Sequence, residues 1–279
     1  MIVDILTPPA RNAYAPEAAE QAKSYIEAFA AAGLDLRPRP WPEAGDRPAT
    51  ALLAWGYHTA LDEWLALLDR WPAKIPLFNA AALMRWNTRK TYLAELERAG
   101  VPTVPTWFGD ADQGSVSTAF DRFGCDELVV KPQVSAGSYL THRLTRADAA
   151  PALPAAMVQP FLPAIQTEGE YSLFYIGGTF SHAIRKVAQG SDFRIQPQFG
   201  GVNTPWQPDD EAVAVAQAAF AAAPGEPLYV RIDLIRRLDG KLALIELEAI
   251  EPDLYIHHGD CVPQLLAAAV TRALADHAS

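Results

Sequence analysis

The sequence contains little cysteine and no long hydrophobic run. Its two cysteines, Cys125 and Cys261, lie far apart in a chain of 279 residues and form no CxxC pair. This spacing indicates neither a disulfide framework nor a zinc site, and it fits a reducing cytoplasm. No stretch of about eighteen apolar residues occurs, and the opening MIVDILTPPA has no basic region. We therefore predict no membrane span, no signal peptide and a cytoplasmic location.

Positive charge is also scarce. Lysine and arginine number 23 against 33 aspartate and glutamate residues, which gives a formal net charge of −10. Because nucleic-acid phosphates require a basic face, this balance argues against a nucleic-acid partner but leaves room for one local basic pocket. The two commonest phosphate-binding loops, GxxxxGK[ST] and GxGxxG after a strand, are absent as well.

The order of predicted elements indicates an α/β protein of two or three lobes. In residues 1–80, short buried strands alternate with amphipathic helices, which is typical of a parallel sheet. The first of these helices is predicted to end at Gly33. After residue 87 the pattern predicts a helix, the strand ELVVKPQ, the loop VSAGSY and a polar, proline-punctuated connection. The remainder is expected to consist mainly of strands joined by turns.

The strongest hairpin signal is an Asp-Gly turn between two apolar runs, RIDLIRR and KLALIELE. Because strand side chains alternate between faces, Glu246 and Glu248 are expected on one face, with Ile245 and its apolar neighbours on the other. In this register Asp233 faces the same side as the two glutamates. Three carboxylates on rigid strands suit a hard cation such as Mg²⁺. A solvated outer face of an edge strand is the alternative, although the apolar flanks favour a central strand.

Cationic side chains occur near the ends of predicted strands and helices. Lys90 lies in NTRK, and Lys131 closes an apolar strand before a Gly/Ser loop, so both could contact phosphate. Arg185, Lys186 and Arg194 surround the segment near residue 190, where we predict a mobile cationic loop over an anionic substrate. Solvated strand ends and a charged hairpin face are alternative interpretations of these patterns.

Taken in order, these segments resemble the ATP-grasp superfamily, in particular its glutathione-synthetase-like and D-alanine–D-alanine-ligase-like members. The matching segments are NTRKTYL, VVKP with SAGS, VQPFLPAI with GEYSLFYIGG, FRIQ with GG, and VRIDLI with DGKLALIELEAIEP. GEYSLFYIGGTFSHAIRK and IELEAIEPDLY also resemble the branch that contains the cyclo-ligase of cycloserine biosynthesis. The resemblance implies three lobes: a small parallel α/β lobe at 1–82, a small α+β ATP-binding lobe at 83–156 and a larger antiparallel-sheet α+β lobe at 157–279.

The resemblance also implies how a nucleotide is bound. Lys90 and Lys131 would bind phosphates, and Ser135 and Gly137 would belong to a loop that closes over them. Gln159, Phe161 and Leu162 would form the hinge that binds adenine. Glu170 would bind ribose, and Lys186 would also contact ATP. Glu168 is the substitute for Glu170 in this assignment.

Metal, catalytic and substrate roles follow in the same way. Two ions of Mg²⁺, with Mn²⁺ as the alternative, are implied at Asp233, Glu246 and Glu248, the last in place of the more common asparagine. Arg231 would face the developing oxyanion, and Arg194 the transferred phosphate. Substrate contacts are implied at Glu251, Asp253 and His182.

The implied activity is that of an ATP-dependent carboxylate–amine ligase. ATP would convert a carboxylate into an acyl phosphate, and an amine, or a thiol, would then displace phosphate. The expected partners are small amino-acid-like or peptide-like molecules, and a homodimer is common among such relatives. An intramolecular cyclo-ligase or small-acid kinase of the same fold is one alternative, and a non-catalytic nucleotide-binding regulatory protein is another.

Overall fold

Three β-sheets follow one another along the chain. The computed structural model describes residues 2–188, 194–195 and 200–278, and the three sheets lie within these ranges. One sheet is parallel and two are antiparallel, so the α/β (α+β) fold class predicted from the sequence is confirmed. Among these residues no helix combines the length and the hydropathy that a bilayer crossing requires.

The first sheet belongs to the N-terminal lobe. Its elements are β1 (Ile2–Thr7), α1 (Ala15–Ala31), β2 (Asp35–Pro40), β3 (Ala49–Thr50), α2 (Leu61–Arg70), β4 (Leu77–Phe78) and α3 (Ala81–Asn87), with 3-10 turns at Trp41–Glu43 and Tyr57–Thr59. The strands are parallel, in the order β2-β1-β3-β4. Just after α1, Gly33 adopts a φ of 86°, which favours glycine, so the helix ends where it was predicted to end.

The second sheet forms the central lobe. It follows α4 (Tyr92–Arg98) and contains β5 (Trp107–Ala111), β6 (Glu127–Pro132), β7 (His142–Thr145) and β8 (Leu153–Pro160), with α5 (Gln113–Phe123) packed on it. The strands are antiparallel, in the order β5-β8-β6-β7. A capping box starts α5, because Asp112 and Ser115 each accept the other's backbone N–H. Strand β8 continues across residues 156 and 157, where a lobe boundary was predicted.

The third sheet is the largest. It contains β9 (Glu170–Ile176), β10 (Thr179–Val187), β11 (Val202–Pro205), β12 (Tyr229–Arg236) and β13 (Leu242–Glu248), accompanied by α6 (Ala164–Thr167), α7 (Asp210–Ala222) and α8 (Val262–Ala278). The strands are antiparallel, in the order β11-β10-β9-β12-β13.

The two faces of the third sheet have different neighbours. One face packs on α7 and α4, where Leu173 and Ile232 belong to the same apolar cluster as Ala216. On the other face, Phe174 contacts the apolar side chains of α8 and of the N-terminal lobe. Each fully buried side chain of this size contributes about 1.5–3 kcal/mol to folding. On that same face the polar side chain of Glu170 turns towards a cavity, because alternate residues of β9 share a face.

Candidate active site

A cavity of about 550 Å³ lies where the three lobes meet. It is lined by the first turns of α1, by β6 and the loop that follows it, and by β9, β10, β12 and β13. Every residue to which the sequence analysis assigned a nucleotide, metal, catalytic or substrate role lines this cavity, except His182 and the substitute Glu168. The fold therefore brings together residues that are up to about 160 positions apart in the chain.

Three carboxylates meet on the β12–β13 hairpin. Asp233 pairs with Glu246 across the hairpin, and Glu248 lies two residues further along β13. One oxygen from each of the three carboxylates lies within 4.8 Å of the other two. The hairpin and the convergence of its acids occur as predicted, whereas the metal role of these residues stays a prediction.

The alternation predicted for β13 is wrong at Ile245. Asp233 pairs with Glu246, but the next residue of β12, Leu234, pairs with Leu244. Ile245 is therefore an extra residue in a β-bulge. The bulge places Ile245 on the cavity side, next to Glu246, where a regular strand would have turned it away. Nothing in the residue pattern distinguishes this strand from one without a bulge.

The expectation that the glutamates lie on a central strand is also wrong. Strand β13 is at the edge of its sheet. The side chains of Glu246 and Glu248 are nevertheless only 25% exposed, because segments from the other two lobes cover this edge. The alternative of a solvated edge face is therefore wrong as well.

Arginine and lysine side chains bind the three carboxylates. Arg231 donates from Nε and Nη2 to Asp233 at 3.0 and 2.9 Å and also contacts Glu248. Lys90 Nζ lies 3.0 Å from Glu246. Burial opposes ionisation of Asp233, but Arg231 and a neighbouring lysine hold its pKa at about 2. Burial raises the pKa of Glu248 to about 7, against the effect of Arg231.

A further buried ion pair joins β9 and β10. Lys186 Nζ lies 2.5 Å from Glu170 and 3.4 Å from Asp233. Burial raises the pKa of Glu170 to about 7, although Lys186 opposes this rise. The predicted ribose-binding residue thus reaches the cavity already paired with a lysine. Its predicted substitute, Glu168, pairs instead with Arg236 at 2.8 Å and does not line the cavity.

The cluster formed by Asp233, Glu246 and Glu248 has the ligands that a divalent cation requires. Carboxylate oxygens are the donors that Mg²⁺ prefers, and Mn²⁺ accepts the same ligands. Burial opposes ionisation of Glu246, but Lys90 and Lys131 lower its pKa, so its carboxylate is available as a ligand. Lys131 lines the same cavity, where its position allows it to contact an anion beside the cation.

The opposite part of the cavity is apolar. Phe161 and Leu162 pack there in a cluster with Val104, Ile195 and Ile235. The guanidinium of Arg143 stacks over the ring of Phe161 at 3.7 Å. Gln159 donates its side-chain amide to Thr106 at 3.0 Å, which ties β8 to the chain before β5. An apolar wall beside a polar backbone is the environment that a flat heteroaromatic ring requires.

The loop after β6 lies close to Lys90. Lys90 Nζ donates to the carbonyl of Ser135 at 2.6 Å, and its own N–H donates to Gln133 at 2.8 Å. Gly137 and Ser138 both adopt left-handed φ angles, 57° and 63°. The loop therefore turns sharply beside the cluster formed by Asp233, Glu246 and Glu248.

The described residues include only part of the predicted cationic loop, which contains Arg185, Lys186 and Arg194. Arg194 lines the cavity, as does Lys186. Arg185 donates to the carbonyl of Glu168 and does not line the cavity. Residues 189–193 and 196–199 lie outside the described residues.

Two acids predicted to contact substrate line the cavity beside the N-terminal lobe. Asp253 accepts the N–H of Tyr255 at 2.9 Å and the hydroxyl of Tyr25 at 3.4 Å. Burial raises the pKa of Glu251 well above its usual range, and the charge of Glu248 adds to this rise. Both acids thus lie beside the N-terminal lobe, whose sequence carries no motif of the resemblance.

Several cavity residues escaped prediction. They come mainly from the N-terminal lobe: Tyr14, Glu17, Glu20, Gln21, Trp55, Gly56 and Tyr57, with Tyr255 from the third lobe. The sequence did contain a signal for three of them. Glu17, Glu20 and Gln21 of α1 are three and four positions apart, so their side chains share one face of the helix.

His182 lies away from the cavity. Its ring stacks on Phe174 with centroids 4.2 Å apart, and its Nδ1 is 3.0 Å from the hydroxyl of Ser181. A β-carbon at Gly259 would contact the ring. The structure therefore does not bring His182 together with the other predicted site residues, and its contact with substrate stays a prediction.

Comparison with known proteins places the chain among ligases, although no family model matches it. The cycloserine biosynthesis protein DcsG of Streptomyces lavendulae is 30% identical over 227 residues, which cover 72% of this chain and 74% of the relative. The crystal structure of D-cycloserine synthetase DcsG matches with a TM-score of 0.82 at 25% identity, over 98% of this chain and 100% of that chain. The ATP-grasp ligase PsnB, solved with a phosphomimetic variant of its minimal precursor, Mg and ADP, shares the fold, with a TM-score of 0.66 at 17% identity over 98% of both chains.

The fold and these similarities define the class: the chain belongs to the ATP-grasp superfamily, and it is a ligase of the type that forms C–N bonds. Within the superfamily it belongs to the branch of the cycloserine biosynthesis protein DcsG. The resemblance found in the sequence motifs is therefore confirmed. Membership of a ligase family removes support from the non-catalytic alternative.

Proposed function

We propose that the chain activates a small amino-acid-like carboxylate with ATP and joins it to an amine, releasing ADP and phosphate. The meeting of Asp233, Glu246 and Glu248 within 4.8 Å, in a cavity that Lys90 and Arg231 also line, carries this proposal. Phosphoryl transfer depends mainly on positioning and on charge stabilisation, and this group of side chains offers both.

ATP would span the cavity from its apolar part to its charged part. Adenine would lie against Phe161 and Leu162, and the phosphates would contact Lys90 and Lys131. The remaining nucleotide contacts would come from Ser135, Gly137, Gln159, Glu170 and Lys186. Two Mg²⁺ ions, or Mn²⁺ in their place, would be held by the three carboxylates and would neutralise phosphate charge when bound.

The chemistry would proceed in two steps. A carboxylate oxygen of the substrate attacks the γ-phosphorus and ADP leaves. An amine then attacks the acyl carbon, loses a proton and expels inorganic phosphate. Arg194 would bind the transferred phosphoryl group, and Arg231, held by Asp233, would stabilise the tetrahedral oxyanion.

The substrate would occupy the end of the cavity beside the N-terminal lobe. Glu251 and Asp253 line this end and would bind its amine. Closure of the loop after β6 would keep water from the acyl phosphate. A mixed environment of acids and tyrosines fits a small zwitterion better than an extended apolar acid.

A ring-closing ligase is the second candidate. The similarity to D-cycloserine synthetase favours it, because that protein is the relative matched at 25–30% identity. In this version the carboxylate and the amine belong to one molecule. A small-acid kinase would stop at the acyl phosphate.

Assays of ADP release and hydroxylamine trapping test both candidates. The protein is incubated with ATP, Mg²⁺ and a panel of small amino acids, with and without added amines. Hydroxamate with acid alone and amide only with added amine support ligation between two molecules. A product with the mass of one acid molecule minus one water, formed without any added amine, supports ring closure. Absence of ADP with every acid contradicts the proposal.

The assignment of the metal ligands has its own control. Glu246→Gln removes one carboxylate of the group and should reduce ADP release on the order of 100-fold or more. Glu226→Gln alters an exposed glutamate and should leave the rate unchanged. Equal rates in the two variants would exclude the proposed metal site.

Lobe boundaries, a homodimer and a cytoplasmic location are part of the same proposal. The first boundary is proposed near residue 82, and the second after Pro160, because β8 continues past residue 157. Light scattering on the purified chain tests the homodimer.

A further inference from the structure

Side chains, rather than another strand, pair with the outer edge of β13 beside its glutamates. Asn87 Nδ2 donates to the carbonyl of Leu247 at 2.7 Å, and Asn87 Oδ1 accepts the N–H of Ala249 at 2.8 Å. The hydroxyl of Tyr92 accepts the N–H of Leu247 at 2.9 Å. Asn87 is only 7% exposed, so these bonds are shielded from water.

The two bonds of Asn87 bracket Glu248. In a parallel sheet, a residue on the neighbouring strand makes the same two bonds through its backbone. Its N–H donates to the carbonyl of one residue, and its carbonyl accepts the N–H of the residue two positions further on. Such a neighbour is present further along the edge, where Leu244 forms a parallel bridge with Thr103. The Asn87 carboxamide therefore continues this pairing from Leu244 to residues 247 and 249, at the end of the strand.

The same chain segment reaches the site through a side chain. Lys90, three residues after Asn87, pairs with Glu246 at 3.0 Å. The segment thus binds the backbone around Glu248 and the carboxylate of Glu246 at once. Movement of this segment would displace both glutamates relative to Asp233, which lies on the neighbouring strand.

We propose that Asn87 is a positioning residue for the cation-binding carboxylates. The inference rests on the proposed function, since it concerns the metal site named there. Asn87 fixes the backbone on either side of Glu248, and so holds Glu246 and Glu248 within reach of the ion that Asp233 also binds. Loss of its carboxamide leaves a buried N–H and C=O unpaired at the edge.

Asn79 provides a matched control. It is also a buried asparagine, and its Nδ2 donates to the carbonyls of Tyr229 and Ala249, both at 2.8 Å. Its Oδ1 accepts the N–H of Leu228 at 2.6 Å. Asn79 therefore makes more backbone bonds than Asn87, four against two, but these bonds do not bracket Glu248.

Binding of Mn²⁺ without turnover tests the inference. Mn²⁺ is titrated into the full chain saturated with ADP, without acid substrate, and the free ion is measured by electron paramagnetic resonance. Asn87→Leu should weaken Mn²⁺ binding about 10-fold or more, as loss of a residue that orients metal ligands does. Asn79→Leu should change it by less than about twofold. Urea midpoints and metal-free ADP binding are measured for each variant, to compare folding.

The outcomes separate the inference from the proposed function. If the parent chain binds no Mn²⁺ in the presence of ADP, the proposed function fails, and this inference with it. If the parent binds Mn²⁺ and a folded Asn87→Leu binds it equally well, only the inference fails. Equal weakening in both variants also overturns it. If Asn87→Leu does not fold, the smaller polar change Asn87→Ser, whose side chain is too short to make both bonds, is measured instead. Mn²⁺ binding equal to that of the parent in this variant overturns the inference.

Discussion

Lys186 and Glu170 face each other across the paired strands β10 and β9, with Nζ and Oε1 2.5 Å apart. Both residues are buried, with side chains only 5% and 11% exposed. Lys186 also lies 3.4 Å from Asp233 of β12. One lysine therefore compensates acids on two strands, and the pair links the predicted ribose-binding and metal-binding parts of the cavity.

Replacement of this lysine should destabilise the protein. Lys186→Met keeps the length of the side chain but removes the cation paired with Glu170 and leaves Asp233 with Arg231 alone. Loss of one partner of a buried ion pair costs about 3–5 kcal/mol. The free energy of unfolding in urea measures this loss. Lys241→Met, at an exposed lysine, should change it by less than about 0.5 kcal/mol. A Lys186→Met protein as stable as the control would show that the buried pair is not required.

The resemblance to ATP-grasp ligases implies that Glu248 stands in place of a more common asparagine. Glu248→Asn keeps an oxygen ligand but removes one charge, so the affinity for Mg²⁺ should fall on the order of 10-fold. At saturating Mg²⁺ the turnover number should remain within a few-fold of the parent. The Mg²⁺ dependence of ADP release measures both quantities. Loss of turnover at every Mg²⁺ concentration would show that Glu248 does more than bind the ion.

The sequence predicted the fold class and the hairpin acids because local patterns encode them. Strand alternation and an Asp-Gly turn predict that Asp233, Glu246 and Glu248 lie close together on one hairpin. The bulge at Ile245 and the edge position of β13 did not follow, since both depend on pairing between distant segments.

The substrate end of the cavity was the least predictable part. Tyr14 and Tyr57 reach it from the N-terminal lobe, whose residues show only the periodicity of buried strands and helices. His182 was assigned to the substrate, although its ring packs on Phe174 instead. Periodicity indicates which face of a strand is buried, but it does not indicate whether that face meets a core or a cavity.

Gly169 should tolerate no side chain. Its φ is 93°, and a β-carbon there would overlap the carbonyl oxygen of Lys186. Gly169→Ala should therefore cost more than about 2 kcal/mol, because backbone must move beside a buried ion pair. Gly178→Ala is the control, since its φ is 79° but nothing lies within 4 Å of the added carbon. It should cost only about 1 kcal/mol, the strain of the left-handed backbone. Equal losses in urea unfolding would contradict the predicted clash.

His182 should make the stability of the protein depend on acid pH. Burial lowers its pKa from 6.5 to about 4, so the unfolded chain binds a proton between these values while the folded chain does not. Its contribution is complete above pH 6.5 and is lost as the pH falls towards 4. His182→Phe keeps a ring on Phe174 but cannot titrate. Between pH 7.5 and 5.0 the variant should lose about 1–2 kcal/mol less unfolding free energy than the parent. His257→Phe, at an exposed histidine, should behave as the parent does. Identical losses in the parent and in His182→Phe would show that this buried ring does not set the acid sensitivity.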